Sequence, residues 1–342
     1  MRDKGGHLRE PDGTDHFGAV ASIALAITAV AVLVTVLVAP AQSPSQAPDQ
    51  QPCAQVVGAG LETAASGDAR PFAEELLDPL TTQPKESSPV EVAGAAIGTS
   101  ALAELDAAID AVEADGYDVG FLMLDAQAGA AVGYHADRSF YSASSLKGPY
   151  VASVVSNVLG DAAQGDGRVD AILRYSDNEA YASLRNQYGN DPMRALVDAA
   201  GAEQLPSEGI NEEVAAAAEL QSAPSIADNH YEFLTPAQMV AMWDQCRMFL
   251  ESGEPGAAWL AGELQAPEIS SLSHVGRAWG TTWAKAGWYP DDASSFATTV
   301  DAGVVRTQTG DVVIAVMTTS PIDFPVTASV ILPLLELHAQ MS

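Results

Sequence analysis

Two kinds of apolar pattern divide this chain. From Phe17 to Ala39 the residues are uncharged and rich in Ala, Val, Leu and Ile. A helix of that length covers roughly 35 Å at ~1.5 Å per residue, enough to cross a bilayer. Beyond residue 100 the apolar positions come in shorter, periodic bursts. Residues 101–114 have helical spacing, and Asp118 to Leu124 is a compact apolar run. The turn Asp125–Gly129 and the apolar stretch Ala130–Tyr134 complete a predicted hairpin. A helix is predicted from Ser145 to about Leu159, with Pro149 in its first turn, where the missing N–H is harmless. Helical segments follow to about Cys246. Thr281–Tyr289, Thr298–Arg306 and Asp311–Thr318 read as strands, the last two joined by the turn Thr307–Gly310, and residues 325–340 close with a helix. This order predicts an α+β fold: one antiparallel sheet flanked by terminal helices, with an inserted all-α lobe.

Charge sets the orientation of the apolar N-terminal run. Arg2, Lys4 and Arg9 precede it and the next basic residue is Arg70. That asymmetry predicts residues 1–16 in the cytoplasm, a single-pass anchor at 17–39 and everything later outside the cell membrane. Ala39-Pro40-Ala41 leaves open the alternative of a cleaved secretory signal. Residues 40–95 are rich in Pro, Gln, Ser and Ala and read as a linker, with one short helix near 70–80. The folded domain is assigned to 96–342. A formal charge of −30 excludes nucleic acid as a partner, because phosphate binding needs a basic face. Cys53 and Cys246 are the two cysteines. In an exported protein a bridge between them would pin the linker to the domain, and two unpaired thiols is the alternative. With no histidine cluster beside them, neither a metal site nor a cofactor is expected.

The candidate chemistry rests on lysine. After residue 96 the chain has two, Lys147 and Lys285, and its other strong cations there are arginines. A desolvated lysine can lose its proton near neutral pH and arginine cannot, so only these two can serve as bases. Ser144 and Lys147 stand three apart, on one side of a helix's first turn. The N–H groups and dipole of that turn favour an alkoxide and a tetrahedral oxyanion. Ser176-Asp177-Asn178 lies between an apolar helix and another helical stretch. Ser176 would shuttle a proton to a leaving amine and Asn178 would hold Lys147 or a substrate amide. The tripeptide is equally good capping chemistry. Lys285-Ala286-Gly287-Trp288 lies on the strand Thr281–Tyr289, where Gly287 would let a substrate backbone approach. Each motif alone suits an ordinary cap or edge; the three in this order point to serine acyl transfer.

Ser144-x-x-Lys147, Ser176-Asp177-Asn178 and Lys285-Ala286-Gly287 resemble the three motifs of the serine β-lactamases and penicillin-binding proteins. The resemblance extends over roughly residues 96–340, including Gly120–Asp125 running into Tyr134–Arg138, and Leu234-Thr235-Pro236-Ala237-Gln238-Met239. It implies that Ser144 is the nucleophile, Lys147 its base, Ser176 the shuttle, Lys285 the third-motif lysine and Asn178 an amide-binding side chain. It also implies substrate contacts at Ala286, Gly287 and Trp288, and an oxyanion hole from the N–H groups of Ser144 and Trp288. Three departures stand out. Ala286 lacks the hydroxyl that helps hold a β-lactam carboxylate. The interval from Ser144 to Ser176 is shorter than in class A enzymes, implying a trimmed lobe. No Glu-x-x-Leu-Asn lies between Ala202 and Leu234, where Glu208, Glu212, Glu213 and Glu219 read as solvated faces. Acylation is therefore expected and efficient β-lactam hydrolysis is not.

The resulting expectation is an extracytoplasmic serine hydrolase or acyl-transferase acting on a cell-wall peptide, or on a small amide or ester. The alternative left open is a catalytically weak relative that uses the same groove to bind wall peptide or a partner protein. His230 and His274 read as loop residues, and Trp279, Trp283 and Trp288 as core and rim aromatics around the third motif.

Overall fold

A computed structural model describes residues 88–207, 225–228, 233–290 and 296–341, all within the unit Gly67–Ser342. The anchor at 17–39, Cys53, His230 and the glutamates at 208–219 lie outside the described residues. Among the described residues no helix is long and apolar enough to cross a membrane. Cys246 is a buried free thiol.

Six strands form one antiparallel sheet: β1 (Glu91–Ala93), β2 (Val119–Asp125), β3 (Ala130–Tyr134), β6 (Thr281–Tyr289), β7 (Thr298–Arg306) and β8 (Asp311–Thr318). Their order is β1-β3-β2-β8-β7-β6, so β6 is an edge. β4 (Phe140–Tyr141) and β5 (Phe233–Leu234) make a separate two-stranded pair. Both faces of the large sheet are covered, which is why its central strands are apolar throughout rather than alternating. Phe121 and Met123 point into a core with Leu102, Leu105 and Ile109 of α1 (Thr99–Ala114). Leu122 and Leu124 point the other way, into a core shared with the helical lobe. The lobe contains α2 (Lys147–Val154), α3 (Gly167–Tyr175), α4 (Asn178–Tyr188), α5 (Asp191–Ala200), α6 (Pro236–Glu251) and α7 (Ala257–Glu263). α8 (Ser271–Gly276) and the C-terminal α9 (Phe324–Met341) lie with α1 on the first face. One side chain of Leu or Phe size, fully buried, contributes about 1.5–3 kcal/mol, so the two cores together hold the sheet.

The expected arrangement of sheet, terminal helices and inserted lobe is present, with two differences. The helix expected from Ser145 to Leu159 is three pieces: a 3-10 turn at Ala143–Leu146, then α2, then a π turn at Val155–Leu159. Ser145 drives the first break, because its hydroxyl donates to Ser142 O at 2.6 Å and tightens the turn. The sheet also begins inside the stretch assigned to the linker. β1 pairs with β3, Val92 opposite Val132, and Ser88 Oγ donates to Asp106 at 2.6 Å. A three-residue strand is too short to show an alternation.

Candidate active site

Three segments converge at the Tyr289 end of β6. The first is the 3-10 turn with half-buried Ser144, followed by Lys147 as the first residue of α2. Ala143, just before Ser144, has φ +44, a left-handed conformation that costs a non-glycine residue about 1–3 kcal/mol. The second is the junction of α3 and α4. Ser176 ends α3 with φ +60, and Asp177 caps α4 by accepting from Ala180 N at 2.7 Å. The capping chemistry is therefore real, and it turns the side chains of Ser176 and Asn178 toward the lysines. The third is Lys285-Ala286-Gly287-Trp288 on β6.

Both amines reach Ser176. Lys147 Nζ donates to Ser176 O at 2.6 Å and to Asn178 Oδ1 at 2.5 Å, with Ser176 Oγ at 3.5 Å. Lys285 Nζ donates to Ser176 Oγ at 3.1 Å and to Ala286 O at 2.7 Å. Lys147 also lies 5.4 Å from the centre of the Tyr181 ring. Burial holds the Lys147 amine down to about pKa 8, against an opposing pull from Asp177. Burial and the charge of Lys147 take Lys285 down to about 7, with Asp301 opposing. At neutral pH this pair readily gives up a proton, which an exposed lysine does not.

Gly287 sets how closely β6 approaches the nucleophile turn. A Cβ there would collide with Ser145 N, and would lie 2.6 Å from Ser142 O and 2.7 Å from Ser144 N. Gly148 does the same for α2, since a Cβ would stand 2.9 Å from Lys285 Cβ and 2.8 Å from Trp243 Cζ2. The edge of β6 is polar in a defined rhythm. Ala284 N donates away from the sheet, to Leu264 O at 3.1 Å. Alternation along an antiparallel strand then turns the N–H groups of Ala286 and Trp288 away from β7 as well. Trp288 N–H thus lies on the open edge, one residue from Gly287 and the Ser144 amide. Tyr175, Ser176, Glu268, Ile269, Lys285 and Trp288 line the cleft beside them.

Among the sequence-derived residues, Lys147, Ser176, Asn178 and Lys285 come together, and Gly287 stands against the backbone of the turn that bears Ser144. Ala286 contributes backbone only, because its side chain is fully buried. Trp288 is half-buried, its ring 5.5 Å from Phe324, and Trp279 and Trp283 are packing residues. His274 is exposed on α8. Sequence reasoning missed Asp301, a fully buried carboxylate opposite Ala286. It accepts from Leu272 N and Ser270 Oγ, each at 3.0 Å, and burial raises its pKa to about 6. The signal was available: an acid inside an otherwise apolar strand. Also missed was an aromatic cluster at the end of β6, built from Tyr141, Phe233, Tyr289 and Phe296. These rings come from four separate segments, and no local pattern joins them. Among the described residues no His, Cys, Asp and Glu group could hold a metal ion.

This architecture is that of a known class. The described domain has the serine β-lactamase and penicillin-binding protein-like fold. The beta-lactamase from Sphaerobacter thermophilus superposes with a TM-score of 0.50 at 19% identity, covering 68% of this chain and 96% of that one. A class A beta-lactamase from Mycobacterium abscessus gives 0.51 at 23% identity, covering 70% and 99%. A variant of the class A beta-lactamase of the last common ancestor of Gram-negative bacteria gives 0.51 at 20% identity, covering 70% and 100%. No family model and no curated protein matches the chain.

Proposed function

We propose that this chain is a membrane-anchored, extracytoplasmic serine acyl-transferase or hydrolase whose substrate is a cell-wall peptide or a related small amide or ester. The observation that carries the reading is the meeting of two buried amines, their proton affinity lowered by burial, on Ser176, beside the turn that bears Ser144. Neutral Lys147 takes the proton from Ser144 Oγ as the oxygen attacks the substrate carbonyl. The N–H groups of Ser144 and Trp288 receive the developing oxyanion. As the tetrahedral carbon collapses, the bond to the leaving nitrogen breaks and Ser176 Oγ delivers a proton to that nitrogen. The serine is restored by a proton from the lysine pair. Water or an acceptor amine then attacks the ester on Ser144, releasing the acyl group and returning the hydroxyl. No cofactor enters these steps.

The test is intact-mass analysis of the protein after incubation with a penicillin and with a D-Ala-D-Ala peptide. A mass increase equal to the acyl group, absent in Ser144→Ala, is the expected result. No adduct with either compound, in protein shown by its near-UV dichroism to be folded, would sink the proposal.

A further inference from the structure

Residues 264–272 pass around the open edge of β6. Leu264 belongs to the core shared with the helical lobe, and Leu272 to the core on the other face of the sheet. The chain between them changes faces by crossing that edge, and it crosses beside the cleft. Glu268 and Ile269, midway along, line the cleft with Tyr175, Ser176, Lys285 and Trp288. Both side chains are exposed, so burial does not fix them. Hydrogen bonds do. Leu264 O accepts from Ala284 N at 3.1 Å, and Glu268 N donates to Arg174 O at 3.0 Å, two residues before Ser176. At the far end three donors converge on one side chain, Asp301. Its Oδ1 accepts from Ser270 Oγ at 3.0 Å, its Oδ2 accepts from Leu272 N at 3.0 Å, and Ser271 N donates to it as well. Asp301 stands on β7 opposite Ala286, so it faces α8 while Lys285 projects from the other side of the sheet. This wall of the cleft therefore ties the second motif to the strand behind the third.

Of these anchors, Asp301 is the one that can change its charge. Burying a carboxylate is costly, and three donors offset that cost while it is ionised. Burial raises its pKa to about 6, with the hydrogen bonds and the charge of Lys285 pulling the other way. Once protonated, one of its oxygens becomes a donor, and a backbone N–H cannot accept from it. At least one donor of the wall then loses its acceptor. Other ionisable groups on the elements packed there are placed differently. His274 and Arg277 of α8 are exposed, and Asp323 accepts from Ser320 Oγ and Val326 N. Arg306 and Asp311 pair at the far end of β7, and Glu336 and His338 lie toward the far end of α9. Lys285 is the group whose charge acts on Asp301.

We propose that Asp301 is a positioning residue: its carboxylate holds residues 268–270 as one wall of the cleft, and the wall loosens when that carboxylate takes a proton. The clamp is a matter of structure, and only its effect on rate rests on the acyl-transfer reading. A loosened wall holds Glu268 and Ile269 less firmly against substrate. Binding then weakens, while Ser144 and Lys147, which the clamp does not touch, keep their places.

Hydrogen exchange, read by mass spectrometry on the full-length protein in detergent, tests the clamp. Samples at pH 5 and pH 8 are compared at times scaled for the intrinsic exchange rate. Protection over residues 268–276 should be about tenfold lower at pH 5, the loss of a hydrogen bond to a charged acceptor, while α6 keeps its protection. In Asp301→Asn the same segment should be loose at both pH values. His274→Gln removes the histidine of that segment and should leave the pH dependence in place. Equal protection at the two pH values in the unaltered protein would overturn the proposal, as would a dependence that survives Asp301→Asn or vanishes in His274→Gln. The first comparison needs no variant, so it decides even where Asp301→Asn does not fold. Acylation by a penicillin at pH 8 is scored separately. Asp301→Asn should raise the half-saturating concentration about tenfold and change the limiting rate far less. A pH-dependent clamp with no adduct in any of these proteins keeps the clamp and removes acyl transfer. An adduct that forms at the same half-saturating concentration with and without the Asp301 carboxylate removes the positioning role.

Discussion

The hairpin β6–β7 has cations at its Thr281 end and others at its middle, and the two groups are treated in opposite ways. At the Thr281 end, Arg247 and Arg306 are matched by carboxylates. Arg247 reaches Asp244 at 2.8 Å and Glu251 at 2.9 Å, and Arg306 reaches Glu251 at 2.8 Å and Asp311 at 3.3 Å. Four residues along β6, Lys285 and Lys147 are buried and held by hydroxyl, amide and carbonyl oxygens. Arginine among carboxylates keeps its charge under all ordinary conditions and ties elements together. Lysine buried beside lysine cannot keep two charges cheaply, so a proton becomes available. The same sheet edge thus has a structural cation cluster and a reactive one, and residue type decides which is which.

The sharpest way to break this contrast is Lys147→Arg. It preserves charge and removes the ability to accept a proton, so acylation should fall by roughly a thousandfold or more. Single-turnover kinetics with a penicillin would read it, and undiminished acylation would show that Lys147 is not the base. Next in size is Gly287→Ala, whose methyl group would push β6 off the Ser144 turn. Displacement of about 1 Å at a reacting centre costs roughly a hundredfold in rate. The same kinetics, with melting temperature as a control, would detect it.

The third comparison has opposite signs at the two clusters. Arg247→Met leaves Asp244 without its guanidinium and takes one of two from Glu251, and it should destabilise by about 2 kcal/mol. Lys285→Met removes a buried charge and should stabilise by about 1 kcal/mol at pH 7. Urea unfolding of both variants checks the pair, and a loss of stability in each would erase the distinction. The smallest effect is on pH dependence. Both lysines have folded pKa values below the unfolded value of ~10.4, so between about pH 7 and 10 the unfolded chain binds more protons. Stability from these groups therefore rises with pH across that window and is lost as pH falls toward 7. Lys285→Met should flatten the slope, and urea unfolding at several pH values from 7 to 10 would read it.

Much of the site was legible because its chemistry is rare in this sequence. Two lysines in the domain made Ser144-x-x-Lys147 stand out, and β6 was bounded correctly at Thr281–Tyr289. The helices α1 and α9 were read within two residues of their ends. The misread helix at 145–159 failed for a local reason, since Ser145 prefers its own backbone turn to a helix cap. Asp301 and the aromatic cluster failed for a different reason. Their partners stand many residues away in the chain, and periodicity reports only on neighbours.

The sequence by itself determined the periods of the strands and helices, the strand-and-helix order, and the inventory of groups able to accept a proton. Those follow from local backbone preference and from the chemistry of each side chain. Tertiary structure alone decided that Lys147 and Lys285 share Ser176, that Gly287 presses against the Ser144 turn, and that four aromatic rings meet beside it. Proton affinity depends on burial and on neighbouring charge, and both are properties of packing between distant segments.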